Sequence, residues 1–229
     1  TYTSSVTGPA QAFSITVGLG PPVVSSAAIA PASAVGVLFS GYTITASNTP
    51  LTSFALQSGS LPPGLTLNTG TGAITGTPSS AAGSPHVANL TSAHATATSA
   101  PKAVTFHVAP AISSAATASG QTGVAFSYQI TGGAGPAYTS YAIAAGTLPP
   151  GLTLNTGTGA ITGTPTAVGG PTNVQFTGAT AFATSAQFTV AFTITLGPPV
   201  ITSSLVATAG EAIPFTPYHI TATNPPLTS

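Results

Sequence analysis

One stretch of eighteen residues occurs twice in this chain of 229 residues, and it constrains the fold more than any other feature. The sequence LPPGLTLNTGTGAITGTP runs from Leu61 to Pro78 and returns from Leu148 to Pro165, 87 residues later. A period of that size matches one small β-sandwich domain. The chain is therefore predicted to be a tandem array, whose function lies in the array before any single pocket.

Further landmarks recur at the same spacing and place the domain boundaries. Gly36, Gly123 and Gly210 follow one another at steps of 87 residues. The sequence at 12–16 resembles that at 191–195, and 224–229 echoes 48–53, so we expect a window from a longer periodic polypeptide. The predicted division is residues 1–22 as the C-terminal strands of a preceding partial repeat, 23–110 and 111–199 as complete repeats, and 200–229 as the N-terminal strands of a following partial repeat.

The hydrophobic pattern predicts β-strands throughout. Residues 188–194 (FTVAFTI) alternate apolar with small or polar positions, which is typical of a half-buried strand. Frequent Gly and Pro, together with many β-branched Thr, disfavour helices. Two matching sets are predicted to supply inward side chains: Phe39, Tyr42 and Ile44, and Phe126, Tyr128 and Ile130.

The duplicated segment itself is predicted to form a β-hairpin. Pro62 and Pro63 favour extended backbone, and Leu65 and Leu67 fall on one face of the strand that follows. Residues 68–72 have the Asn and Gly content of a tight turn, and Ile74 begins the return strand. A hairpin that sets the register of the sandwich is the favoured interpretation. A binding loop at 69–71 is the alternative.

The chain has almost no charge, which excludes several classes of function. Lys102 and Glu211 are its only charged residues apart from four histidines. Nucleic-acid binding and polybasic attachment to a membrane both need clusters of basic side chains, so we expect neither. No apolar run approaches the roughly 20 residues of a membrane helix, so we expect no membrane insertion. The absence of Cys excludes disulfides and thiol chemistry.

The hairpin motif resembles a known family. The patterns Leu-Pro-x-Gly-Leu-x-Leu and Thr-Gly-x-Ile-x-Gly-x-Pro at 61–78 and 148–165 are similar to the immunoglobulin-like (cadherin-like) repeat of bacterial surface proteins. The resemblance implies an all-β fold of tandem Ig-like Greek-key β-sandwiches, arranged as beads on a string and exported to the cell exterior. Cadherin-type calcium sites need several carboxylates, and a chain with one Glu and no Asp does not supply them. The junctions are therefore expected to be stiffened by covalent or apolar means, for which Gly20-Pro21-Pro22 and Gly197-Pro198-Pro199 are suited.

The inventory of reactive side chains predicts no catalytic site and no cofactor. Paired carboxylates and a Ser-His-Asp triad both need acidic residues that are absent. His86 and His94 could share a metal, but their spacing matches no recognised zinc pattern, so no metal site is predicted. His107 is expected at a surface or edge position of a strand.

Two further candidates concern carbohydrate. Tyr138 and Tyr141 could stack on a sugar, although Tyr141 matches Phe54 in the other repeat, which suggests a core position. Asn89-Leu90-Thr91 is the one sequon with a permitted middle residue, so Asn89 is a candidate acceptor for N-glycan in a competent host. The many Ser and Thr residues also offer positions for O-glycosylation.

These observations predict a non-enzymatic structural subunit of an extracellular bacterial filament or surface fibre. The expected partners are adjacent repeats or copies of the same chain, joined end to end or by strand addition. A covalent string of domains is favoured over strand exchange. The alternative is the stalk or binding module of a large surface adhesin, which could bind carbohydrate.

Overall fold

The computed structural model describes residues 14–15, 17–204, 206, 208, 210–211 and 217–223, and every regular element in that part is a β-strand. The all-β fold predicted from the alternating pattern is thereby confirmed. None of the described segments is a helix long and apolar enough to cross a membrane. Most of the predicted N-terminal segment 1–22 and residues 224–229 lie outside the described residues.

Repeat 1 (residues 23–110) is a sandwich of two sheets. Its strands are β1 (Ser33–Ala34), β2 (Tyr42–Thr43), β3 (Ser53–Gly59), β4 (Leu65–Leu67), β5 (Ala73–Gly76), β6 (His86–His94), β7 (Ala97–Thr98), β8 (Lys102–Phe106) and β9 (Val108–Ala109). One sheet has the order β2-β5-β4. In the other, β6 is flanked by β3 on one side and by β7 and β8 on the other. β1 pairs in parallel with β9 as a separate two-stranded sheet.

Repeat 2 (residues 111–199) reproduces this topology. Its strands are β10 (Thr117–Gln121), β11 (Phe126–Gln129), β12 (Ser140–Ala145), β13 (Leu152–Leu154), β14 (Ala160–Gly163), β15 (Gly169–Ala179) and β16 (Phe188–Thr195). The sheets have the orders β11-β14-β13 and β10-β16-β15-β12, and β10 again runs parallel to the last strand. Beyond it, β17 (Val200–Ile201) pairs with β18 (Ala222–Thr223) as the described part of the following segment.

Each repeat has its own core between its two sheets. Alternation along β16 buries Val190, Phe192 and Ile194, as the sequence pattern predicted. The central aromatic residue of repeat 1, Phe106, is likewise buried and contacts the rings of two neighbours edge-on or tilted. The predicted inward sets at 39–44 and 126–130 all belong to these cores or pack against them.

The duplicated segment forms the predicted hairpin in both repeats. Leu65 pairs with Gly76 and Leu67 with Ile74 across β4 and β5. A Cβ on Gly64 would lie 2.1 Å from the Thr77 carbonyl oxygen, and the φ of Gly64 is 91°. Only glycine fits such a close backbone approach, which explains why this position is glycine in both copies.

Candidate functional site

A short connection joins the two complete repeats. β9 ends at Ala109, and only Pro110 and Ala111 separate it from Ile112, which bridges to Gly132 in repeat 2. The Gly-Pro-Pro segments singled out by the sequence lie at the outer ends of the two repeats and do not form this connection. What holds the repeats together is therefore a set of side-chain contacts across the Pro110-Ala111 linker, named here the junction.

Small apolar side chains form the centre of the junction. Ala34 and Ala109 of repeat 1 cluster with Ala183 of repeat 2, and each is buried. Ala81 is 1% exposed, and a Cβ on Gly135 would lie 2.7 Å from its Cβ. Such close approach excludes water, so the repeats pack directly and apolar surface is buried between them.

Tyr138 fixes the linker to repeat 2. Its hydroxyl donates a hydrogen bond of 2.5 Å to the carbonyl oxygen of Pro110. The ring lies flat over Gly178, where a Cβ would come within 2.6 Å of it. Burial raises the pKa of Tyr138, so the hydroxyl keeps the proton that it donates.

An aromatic pair closes one side of the junction. The rings of His107 and Phe182 stack with centroids 3.9 Å apart and planes inclined by 19°. His107 was expected at a surface or edge position; it is partly buried, because Phe182 of the next repeat covers its ring. Phe182 itself is 62% exposed. Together with Pro85 and Pro136 it lines a groove with a volume of about 190 Å³.

The N-terminal end of repeat 1 contacts its own linker differently. Asn48 Nδ2 donates to the carbonyl oxygens of Gly20 at 3.2 Å and Pro21 at 2.8 Å. His94 Nε2 lies 3.0 Å from the same Gly20 oxygen, and His94 Nδ1 accepts from the Thr96 amide at 3.3 Å. One tautomer, with the proton on Nε2, satisfies both contacts. The linker is thus held by polar groups here and by packing at the junction.

The histidines that could have shared a metal are kept apart. His86 and His94 stand at opposite ends of β6, a strand of nine residues that spans about 30 Å. His86 is buried, its Nδ1 lies 3.4 Å from Ser60 Oγ, and its Nε2 has no hydrogen-bond partner among the described residues. Burial lowers the pKa of His86. No group of three His, Cys, Asp or Glu comes together in the described part of the chain.

A family profile described as "Putative Ig domain" matches residues 21–109 and again 109–196. The chain belongs to this family. No curated protein matches the chain.

Among solved structures, the Ig-like repeats are similar to an I-band fragment of titin, with 13% identity over 80% of this chain and 68% of that chain and a TM-score of 0.38. They are also similar to the N-terminal eight Ig domains of Down Syndrome Cell Adhesion Molecule, with 12% identity over 80% of this chain and 25% of that chain and a TM-score of 0.47. For the N-terminal Ig1-2 module of the Drosophila receptor protein tyrosine phosphatase DLAR, the identity is 11% over 77% of this chain and 100% of that chain, with a TM-score of 0.31.

The two tyrosines that could stack on a sugar pack against the core of the second Ig-like repeat. Tyr138 and Tyr141 meet edge-on at 5.5 Å and pack against the core. Tyr141 lies over Gly159 as Phe54 lies over Gly72, which confirms the core position suggested by their alignment. Both rings are partly buried, and both line an open groove of about 320 Å³ together with Gln129 and Thr131.

The hairpin loop at 69–71 has its backbone donors engaged within the loop. Asn68 Oδ1 accepts from the amides of Gly70 and Thr71, both at 3.0 Å, and Asn155 repeats the arrangement at 3.0 Å and 3.1 Å. These amides are therefore not available to a ligand, and the geometry favours the scaffold interpretation over the binding loop.

Asn89 lies in the middle of β6, between β3 and β8. Its Nδ2 donates to Ser58 Oγ at 2.8 Å, and the hydroxyl-bearing Thr91 of the sequon is 5% exposed. Glycan attachment to Asn89 stays a prediction, and on this geometry it would precede folding of the strand.

Phe182 and Ala81 are the functional candidates that the sequence did not single out. Phe182 lies in a turn that Thr180 closes: the Thr180 hydroxyl oxygen accepts a hydrogen bond of 3.1 Å from the Ala183 amide. A signal was present: an aromatic residue stands in repeat 2 where repeat 1 has Thr96, although the flanking residues match.

Proposed function

We propose that this chain is a structural, non-enzymatic segment of an extracellular bacterial filament or surface fibre built from tandem Ig-like domains. The junction is the observation that carries the proposal. The repeats pack directly against each other through a two-residue linker, a buried alanine cluster and the contact between Ala81 and Gly135. Domains coupled in this way transmit bending and tension along the array, as a stiff fibre requires.

The surface chemistry supports close packing in an assembly. With Lys102 and Glu211 as its only charged residues besides histidine, the chain meets little electrostatic repulsion from a neighbour. For the same reason, association is expected to change little with salt. The chain also lacks the paired carboxylates on which glycoside hydrolysis commonly depends.

The sheet edges favour a covalent string of repeats over strand addition. In the described sheets, β3 and β12 are edge strands, and each contains a bulge, between Leu56 and Ser58 and between Ile143 and Ala145. The other sheet ends at β2 and β4 in repeat 1 and at β11 and β13 in repeat 2, and these strands have two to four residues each. Bulges and short strands disrupt the row of free backbone groups that an added strand needs. The repeats therefore join end to end through their linkers.

The alternative is a stalk or binding module of a surface adhesin. One observation favours it: the groove beside Phe182 is apolar, and the outer face of that ring is open to solvent. A sugar site, if this alternative holds, would use this ring.

Electron microscopy of native material, combined with fractionation of the source cells, tests the proposal. We expect the polypeptide in the extracellular fraction as thin fibres with an axial repeat of one Ig-like domain, unchanged in 1 M NaCl. A monodisperse soluble particle inside the cell would contradict the proposal. Fibres that end in a separate globular domain with glycan affinity would favour the adhesin.

A further inference from the structure

Three positions at the N-terminal end of each repeat lie beside the preceding segment, and these positions differ between the repeats. They are the pairs Asn48 and Gly135, His94 and Thr180, and Thr96 and Phe182, which lie 87, 86 and 86 residues apart.

Local geometry confirms the equivalence of these positions. Asn48 and Gly135 both have positive φ, at 60° and 143°. His94 and Thr180 both accept a hydrogen bond from the amide two residues ahead, at 3.3 Å and 3.4 Å. The turns that carry them are closed in the same way, by Ser99 Oγ and Ser185 Oγ at 3.0 Å from the facing amide.

The two sets make different contacts. In repeat 1, Asn48 and His94 donate to carbonyl oxygens of an extended linker. In repeat 2, Gly135 leaves room for Ala81, while Phe182 stacks on a ring of the preceding repeat. An asparagine at position 135 would collide with Ala81, because even a Cβ there would lie 2.7 Å from the Ala81 Cβ.

The C-terminal end of each repeat differs in a complementary way. Three residues after the shared hairpin, repeat 1 has Ala81 and repeat 2 has Val168, which is 55% exposed. Opposite Phe182, repeat 1 presents the ring of His107, and the equivalent residue one position after the core Phe192 is Thr193. The N-terminal end of repeat 2 contacts a small residue and a ring, Ala81 and His107 of repeat 1. The C-terminal end of repeat 2 carries neither of them, because Val168 and Thr193 stand there instead.

We propose that these residues encode the order of the repeats: the N-terminal end of repeat 2 accepts a preceding domain that carries a small residue at the Ala81 position and a ring at the His107 position, and rejects a copy of repeat 2. The partner that this surface fits is a domain of the repeat 1 type, either in the same chain or in a second copy. Steric exclusion at Gly135 provides the rejection, and the aromatic stack provides the preference. The inference rests on the proposed function as a tandem array and adds which residues set the order of the repeats in it.

Proton NMR of the purified full chain tests the inference, because four histidines give a simple spectrum. The Phe182 ring current is expected to shift the His107 ring protons upfield, and Phe182→Thr, which installs the repeat 1 residue, should remove that shift. Ala81→Val, which installs the repeat 2 residue, should remove it as well. Val168→Ala and Thr96→Ala are the matched controls and should leave it unchanged.

The His86 and His94 signals would reveal whether Ala81→Val damages the fold of repeat 1. In that case Gly135→Asn is the deciding variant, because it disrupts the contact between Ala81 and Gly135 from the side of repeat 2. Loss of the His107 shift in Gly135→Asn supports the inference. An upfield His107 signal that survives either Ala81→Val in a folded repeat 1 or Gly135→Asn overturns it. The measurement needs no filament and no cell, so the inference and the proposed function can fail independently.

Discussion

The Phe182 ring stacks on the His107 ring across the boundary between the two repeats, with centroids 3.9 Å apart. The residues are 75 positions apart in the chain and belong to different repeats. Their contact joins the two repeats directly.

Replacing Phe182 by alanine is expected to weaken the coupling between the repeats. Loss of the stacked pair should cost about 0.5–1.5 kcal/mol, the usual range for aromatic pairs beyond their buried area. Calorimetry of the full chain checks this, since uncoupled repeats unfold in broader or separate transitions. Thr96→Ala, at the equivalent position of repeat 1, should leave the trace unchanged, and an identical trace for Phe182→Ala would count against coupling through this pair.

Alanine at Gly64 is expected to destabilise repeat 1. The φ of 91° strains any L-residue there, and the added Cβ would lie 2.1 Å from the Thr77 carbonyl oxygen. The backbone strain alone costs about 1–3 kcal/mol, and the collision adds to it. Urea denaturation followed by circular dichroism measures the loss. Gly70→Ala in the same hairpin is the control, because its Cβ would meet nothing closer than 3.5 Å and its effect should stay within about 0.5 kcal/mol.

Acidification is expected to destabilise repeat 1 through His86. Because burial lowers the pKa of His86 in the folded state, the unfolded chain binds a proton more readily. The contribution of neutral His86 is therefore fully present above the unfolded pKa of about 6.5 and is lost as the pH falls below it. Thermal midpoints between pH 8 and pH 5 should decline in the parent protein and less steeply in His86→Gln. His219→Gln, at an exposed position, should keep the parent slope; a His86→Gln protein with that same slope would refute the assignment.

The central phenylalanines of the two cores should contribute equally to the free energy of unfolding of their repeats. Phe106 and Phe192 are 1% and 0% exposed and occupy the same place in their repeats. Each change to alanine should cost about 3–5 kcal/mol, the usual range for a buried phenylalanine. Denaturant unfolding of the two variants checks this, and a loss below 1 kcal/mol in either one would show that its core collapses around the missing ring.

Much of the fold could be predicted because it depends on local patterns. Alternation at 188–194 reflects the two-residue period of a strand, and the glycines of the hairpin mark positions where the backbone approaches itself. The match between Tyr141 and Phe54 placed both in the core, since the same hairpin glycine lies beneath each ring. The candidate site could not be predicted in the same way, because the strand pattern around His107 says nothing about Phe182, its partner in the other repeat.

The sequence by itself determined the period, the β-class of each repeat and the hairpin that sets its register, because strand alternation and glycine geometry act between residues close in the chain. The tertiary structure decided which residues join the repeats. Ala81 meets Gly135 and His107 meets Phe182 only after two separately folded domains are brought together by a two-residue linker. Contacts between rigid bodies depend on the orientation of whole domains, and no short-range pattern in the chain records that orientation.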